Sequence, residues 1–166
     1  MTRVWISIGS NLDRERSVRG AVRELRRRFG ELTLSRVYET ESVGYPGPPF
    51  FNLVAGFDTS ESPEMLQRLF HQLEADFGRV RQADKNAPRT LDVDLLTYGD
   101  MVRRDGAVEL PRDEILRYGF VLGPLAEVAP QEIHPLAKRS YADLWADFDR
   151  DAQPLCPMYL DLEESA

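Results

Sequence analysis

Apolar positions along the chain fall into periodic runs, and the period changes from run to run. In RVWISIG, Arg3 to Gly9, the residues Val4, Ile6 and Ile8 alternate with Trp5 and Ser7. A period of two marks a strand, and bulky residues on both parities predict burial on both faces. GSNL turns the chain, and Asp13 is placed to cap the next segment. Val18, Val22, Leu25 and Phe29 then recur at helical spacing, with Arg19, Arg23, Arg26 and Arg27 on the other side and Gly30 as the stop. LTLSRVYET, Leu32 to Thr40, reads as a second strand. Glu41 to Pro49 is a loop, because two glycines and three prolines oppose any regular element. FFNLVAGFDT, Phe50 to Thr59, is a third strand. A second helix starts at Ser62 as cap and Pro63 in the first turn, buries Leu66, Leu69, Phe70, Leu73 and Phe77, and closes at Gly78.

After a basic loop, TLDVDLLTYG is a fourth strand, and VRRDGAVEL predicts a small hairpin around Asp105-Gly106. PRDEILRYGFVLGPLAEVAP predicts short helical turns broken by glycine and proline, and SYADLWADF a last short helix. The order is β-α-β-β-α-β with C-terminal additions. That predicts an α+β, ferredoxin-like split β-α-β: a mainly antiparallel sheet with helices on its faces. Residues 1–150 form the expected domain. Residues 151–166 form an acidic tail, and the stretch from Asp147 onward is expected to be loosely held. This architecture hosts many activities, so it assigns none.

Composition narrows the classes. A chain of 166 residues, 42% hydrophobic and 30% charged, is enough for one core. A net charge of −7 argues against a general nucleic-acid or anionic-membrane surface. The arginines of the first helix therefore read as a solvated face. No apolar run approaches the roughly 20 residues of a membrane span, and the N-terminal run is too short for a signal peptide. The single cysteine, Cys156, permits no internal disulfide. The expectation is a cytoplasmic protein, monomeric, with small-molecule partners and neither nucleic acid nor membrane.

The fourth strand carries the candidate chemistry. Asp92 and Asp94, two apart, point to one face, while Leu91, Val93 and Leu95 point to the other, toward the core. Two neighbouring carboxylates repel, so ionising both needs a cation. Magnesium suits them, since it takes one or two carboxylates and completes its shell with water and phosphate. Arg79, Arg81, Lys85 and Arg89 lie within eleven residues, opposed only by Asp84. Guanidinium forks and an ammonium next to a magnesium site are what a nucleotide triphosphate requires. The competing readings are a charged, solvated strand face and a loop whose arginines pair weakly with local acids. No Walker A loop, kinase glycine loop or G-x-S-x-G occurs. His71 reads as a helix-surface residue and His134 as a turn residue, neither with a ligating partner nearby. Cys156 lies in the tail, so no nucleophile stands out.

With these residues assembled, the chain resembles the 6-hydroxymethyl-7,8-dihydropterin pyrophosphokinase family of folate biosynthesis over roughly residues 3 to 150. IGSNL, SRVYET with its Gly/Pro loop, FFNLVAGFDT, LEADFGRVR, PRTLDVDLL and RYGFVLGPLAEVAP match the family's motifs in order. PRTLDVDLL is the most specific of them. The resemblance implies transfer of pyrophosphate from ATP to the pterin's hydroxymethyl oxygen, with release of AMP. It implies two Mg2+ ions on Asp92 and Asp94, with Arg81 and Arg89 as catalytic cations. Thr40, Val43, Asn52 and Phe120 would bind the pterin, Asn52 at its edge and Phe120 by stacking. Glu74, Arg79, Lys85, Arg112 and Arg117 would serve the nucleotide.

The pattern departs from the family in places. Asn86 stands where a tryptophan lid is usual, Arg112 where a histidine is, and Tyr118 where an arginine is. Tyr45, Phe50 or Phe51 are the candidates for another aromatic lid. These departures keep open a relative that binds nucleotide or pterin with altered substrate or without turnover. An interaction protein using the acidic tail on the same scaffold is the third reading.

Overall fold

The computed structural model describes residues 1–42, 47–77 and 91–162. Strand β1 (Thr2–Ser10) leads into helix α1 (Arg14–Phe29), then β2 (Thr33–Leu34), β3 (Val37–Thr40), β4 (Phe50–Thr59), α2 (Pro63–Asp76) and β5 (Asp92–Tyr98). The rest comprises α3 (Glu114–Arg117), α4 (Gly119–Val128), α5 (Tyr141–Ala146) and β6 (Cys156–Met158). The sheet runs β5-β1-β4-β3-β6, and β2 also pairs with β4. All these strand pairs are antiparallel. The fold is the ferredoxin-like α+β arrangement that the order of periodic runs predicts.

Both parities of β1 are buried, each in its own core. Val4, Ile6 and Ile8 join Val18, Val22 and Leu25 of α1 and Leu66, Phe70 and Leu73 of α2. On the other face, Trp5 packs with Val54, Leu96 and the α4 residues Val121, Leu122 and Leu125. Gly56 makes room for that indole: a Cβ there would stand 2.2 Å from Trp5 Cζ3. The two faces are thus covered by different helices, α1 and α2 on one and α4 on the other.

Several local expectations need correcting. Leu32 to Thr40 is not one strand. Residues 35–37 stand opposite only Leu53 and Val54, so the strand carries one residue more than β4. Ser35 absorbs the excess, its hydroxyl accepting the Val54 N–H at 2.9 Å in place of a backbone carbonyl. Asp13 occupies the cap position in the left-handed region, at φ 46°, and its side chain makes no cap bond. Ser62 does cap α2, accepting the Met65 N–H at 3.1 Å, with Pro63 behind it. The predicted stop at Gly78 lies outside the described residues.

The hairpin around Asp105-Gly106 is a single bridge between Arg103 and Leu110. Gly123 and Pro124 do not break α4, which runs through them. Packing overrides propensity there, because a Cβ at Gly123 would come within 2.7 Å of Leu155 and 3.0 Å of Trp145. The tail is not loosely held over its described part. Residues 156–158 extend the sheet on β3, Leu162 is buried in the first core, and Arg19 and Arg26 donate to the Asp161 and Leu162 carbonyls.

Candidate functional site

The site begins with a register. Gly9 of β1 pairs with Asn52 of β4 on one side and Asp92 of β5 on the other, and the next residue of the same parity, Ser7, pairs with Val54 and Asp94. Directly paired residues project to the same face of an antiparallel sheet. Asn52, Gly9 and Asp92 therefore form one lateral row, with Asp94 alongside, on the face that α4 covers only in part. At this end of the sheet the face is open. Ser7, Gly9, Thr40, Phe50, Asn52, Asp92 and Asp94 line a pocket, and Glu41, Glu114, Tyr118, Phe120 and Val121 complete its wall. A side chain at Gly9 would crowd the floor, since its Cβ would lie 3.1 Å from Asn52 Oδ1.

The polar groups of this floor are held in place. The buried Asn52 amide donates to Thr40 Oγ1 at 2.6 Å. Its one other N–H and its carbonyl oxygen remain for a planar ligand carrying the complementary edge. Phe120 stacks on Tyr118 at 5.0 Å between centroids, with 14° between the ring planes, while packing against the second core. Phe120 is thus both core and pocket wall.

On the acidic side, Leu91, Val93 and Leu95 are buried in the first core, as the alternation predicts, and Asp92 and Asp94 face the pocket. Burial pushes the Asp94 carboxyl above the usual carboxylate range. Arg112 opposes that rise, and Asp92 and Glu114 add to it. Arg112 reaches Asp94 through Nη2 at 3.5 Å and donates from Nε to Glu114. Burial works against the Arg112 cation, yet Asp94 and Glu114 together keep it above its ordinary range.

The donor set fits magnesium. Among the described residues no group of three ligating side chains comes together, and two hard carboxylates that leave room for water and phosphate are what that ion accepts.

The remaining predicted residues are spread around this centre. Arg117 is exposed and pairs with Glu114 at 3.5 Å, its guanidinium lying 5.3 Å from the centre of the Tyr118 ring. Glu74 is not in the pocket lining. It is buried on α2, and its Oε2 accepts the Val93 N–H at 2.9 Å, fastening β5 between the two aspartates. Arg79, Arg81, Lys85, Arg89 and Val43 lie outside the described residues, as do Asn86 and Tyr45. Of the aromatics considered as a lid, Phe50 lines the pocket. Phe51 projects into the opposite core, 3.9 Å beneath the Arg14 guanidinium, and has no access to the pocket.

Sequence reading missed Gly9, Ser7 and Glu114. The first two emerge only from strand register. Glu114 had a signal: it precedes Arg117 by three on a helix, the spacing of an ion pair.

Known proteins place the chain. The model of the family described as 7,8-dihydro-6-hydroxymethylpterin-pyrophosphokinase matches residues 5–130. The chain belongs to that family. It is 34% identical over 143 residues to the 2-amino-4-hydroxy-6-hydroxymethyldihydropteridine pyrophosphokinase of Porphyromonas gingivalis, covering 82% of this chain and 97% of that protein. It is 33% identical over 155 residues to the protein of the same name from Synechocystis, covering 91% and 77% of the two chains. Against the folic acid synthesis protein fol1 of Pneumocystis carinii it is 31% identical over 158 residues, yet it spans only 21% of that longer protein. Among solved structures, the wild-type HPPK-DHPS of Plasmodium falciparum with pteroate superposes with a TM-score of 0.70 at 11% identity, covering 87% of this chain and 42% of that one. That likeness concerns the fold. Among the described residues no helix is long and apolar enough to cross a membrane.

Proposed function

We propose that this chain transfers the terminal pyrophosphate of ATP to the hydroxymethyl oxygen of 6-hydroxymethyl-7,8-dihydropterin, giving AMP and the pterin diphosphate. The observation that carries this reading is one pocket whose floor joins two acids to a fixed amide, with Phe120 in its wall. The names of the relatives with which the chain shares most of its length support the same reaction.

In this reading Asn52, held by Thr40, meets the amide-like edge of the pterin, and Phe120 supplies the flat apolar surface. Val43, three positions after Thr40 in the sequence, is assigned to the same ligand. Asp92 and Asp94 hold divalent metal, two magnesium ions being the assignment. That metal, when bound, would neutralise the triphosphate. The pterin oxygen bonds to the β-phosphorus as the bond from that phosphorus to the α,β-bridging oxygen breaks, and the hydroxyl proton is released. Arg81 and Arg89 are assigned to the charge that builds on the phosphoryl oxygens. Arg79, Lys85, Arg112 and Arg117 are assigned to the phosphate chain. Glu74, expected at the nucleotide, acts instead from beneath β5, where its carboxylate holds the Val93 N–H between the two aspartates. No covalent enzyme intermediate is involved; placement and electrostatics do the work.

The test is the identity of the nucleotide product. Enzyme, ATP, magnesium and 6-hydroxymethyl-7,8-dihydropterin should yield AMP in step with pterin diphosphate. ADP as product would refute the reaction. Tight binding of both ligands with no AMP at high enzyme would mark the chain as a non-catalytic relative.

A further inference from the structure

Beside the metal end of the pocket, Arg112 makes contacts that a role on the phosphate chain does not by itself explain: it lines an adjoining cleft with His71, Asp94 and Glu109. The backbone N–H of Arg112 donates to the Leu96 carbonyl at 2.9 Å, which fixes the residue against β5. From there its guanidinium lies between two acids, Nη2 at 3.5 Å from Asp94 Oδ1 and Nε bonded to Glu114 Oε2. Glu114 also faces Arg117 through its other oxygen at 3.5 Å. The Arg112 and Asp94 side chains are 34% and 39% exposed, so solvent screens this pair less than it screens the ion pairs on the open surface.

Arginine does not lose its proton in a protein, so its charge at Asp94 is relieved only by moving the side chain. A divalent ion on Asp94 and a guanidinium at the same carboxylate repel each other. Glu114 gives the guanidinium a second carboxylate to stay with, so that it leaves Asp94 without being stranded unpaired in a partly buried place.

We propose, resting on the assignment of Asp92 and Asp94 to divalent metal, that Arg112 is the resident counterion of Asp94. An incoming cation must displace it, and Glu114 is the positioning residue that keeps it. The arginine thereby lowers the affinity of the acids for metal alone. Once displaced, it remains beside the pocket with donors to offer an anionic ligand, so metal arriving with phosphate is favoured over metal by itself.

The experiment is a calorimetric titration of the full chain with magnesium chloride in the absence of nucleotide, repeated with manganese by electron paramagnetic resonance. Arg112→Gln should bind either ion about fivefold tighter than the parent protein, and Arg112→Lys should lie between the two. Arg117→Gln, which loses the same charge from the same Glu114 without touching Asp94, should leave metal affinity unchanged. Circular dichroism establishes that each variant is folded. With magnesium and ATP together, the Arg112→Gln gain should disappear, and the KM for ATP should rise. Equal tightening in the Arg112 and Arg117 variants would reduce the effect to general charge and overturn the proposal. So would an Arg112→Gln affinity equal to that of the parent, while the functional reading would stand. Absence of metal binding to parent and variants at millimolar ion, with nucleotide present as well, would overturn both.

Discussion

Strand β5 carries two rows of side chains that share one backbone and little else. Leu91, Val93 and Leu95 are buried in the first core, on the side where α2 packs against the strand, while Asp92 and Asp94 face a pocket on the opposite side. The next residue of the acidic parity, Leu96, is fully buried beneath α4. The second face is therefore apolar where a helix covers it and acidic where the helix stops. The site is what remains of that face once α4 has taken its share. The apolar row fixes the strand, and the fixed strand aims the acids. Glu74 joins the two roles, since a buried carboxylate on α2 takes the N–H of the residue between the two aspartates.

The largest expected effect separates the rows by function. Asp94→Ala should lower turnover at least ~10²-fold, as loss of a principal electrostatic group does. Its unfolding free energy should change by less than about 1 kcal/mol, because removing a desolvated carboxylate repelled by Asp92 offsets the lost 3.5 Å contact with Arg112, which keeps Glu114 as partner. Quenched-flow turnover and urea melts on one preparation would check both halves. Leu95→Ala, one residue away, should invert the pattern. It should cost about 2–5 kcal/mol of stability in the same melts, with turnover per folded molecule retained at low temperature. A Leu95 variant that is stable but inactive would erase the division between the rows.

Asn52→Ala probes the other end of the floor. The loss of one amide partner should raise the KM for the pterin about tenfold and leave the KM for ATP unchanged. Steady-state kinetics with each substrate varied in turn would show it.

The smallest effect concerns the segment between α4 and α5. His134 is buried, and its Nδ1 accepts the N–H groups of Leu136 and Ala137 at 3.1 and 3.0 Å. Burial, with Arg104 nearby, lowers its pKa from the usual 6.5, although Asp113 acts the other way. A depressed folded-state value means stability present above pH 6.5 and lost as pH falls through the folded pKa. Melting temperature should therefore decline below that pH, and His134→Asn should flatten the decline.

Much of this was legible in the residues. Alternation around Asp92 by itself puts the acids and the core on opposite sides. The helices could be read from the spacing of Val18 to Phe29 and of Leu66 to Phe77. What was not legible came from contacts distant in sequence. The pairing of Gly9 with both Asn52 and Asp92 depends on strand register, which a single strand's pattern does not contain. Phe51 read as a lid candidate because adjacent residues look interchangeable, yet strand parity sends Phe50 to the pocket and Phe51 to the core. The continuity of α4 through Pro124 depends on Trp145 and Leu155 packing against Gly123. The tail read as loose because its composition is acidic. Its strand partner β3 and the arginines of α1 lie far away in sequence, so nothing local announced them.

The decisive measurement is a crystal structure with magnesium, a non-hydrolysable ATP analogue and the pterin bound together. Divalent density should lie on the Asp92 and Asp94 carboxylates, shared with phosphate oxygens, and the pterin edge should lie on Asn52. Phosphates and metal seated elsewhere, with both aspartates bare of any cation, would contradict the assignment of these acids to catalysis.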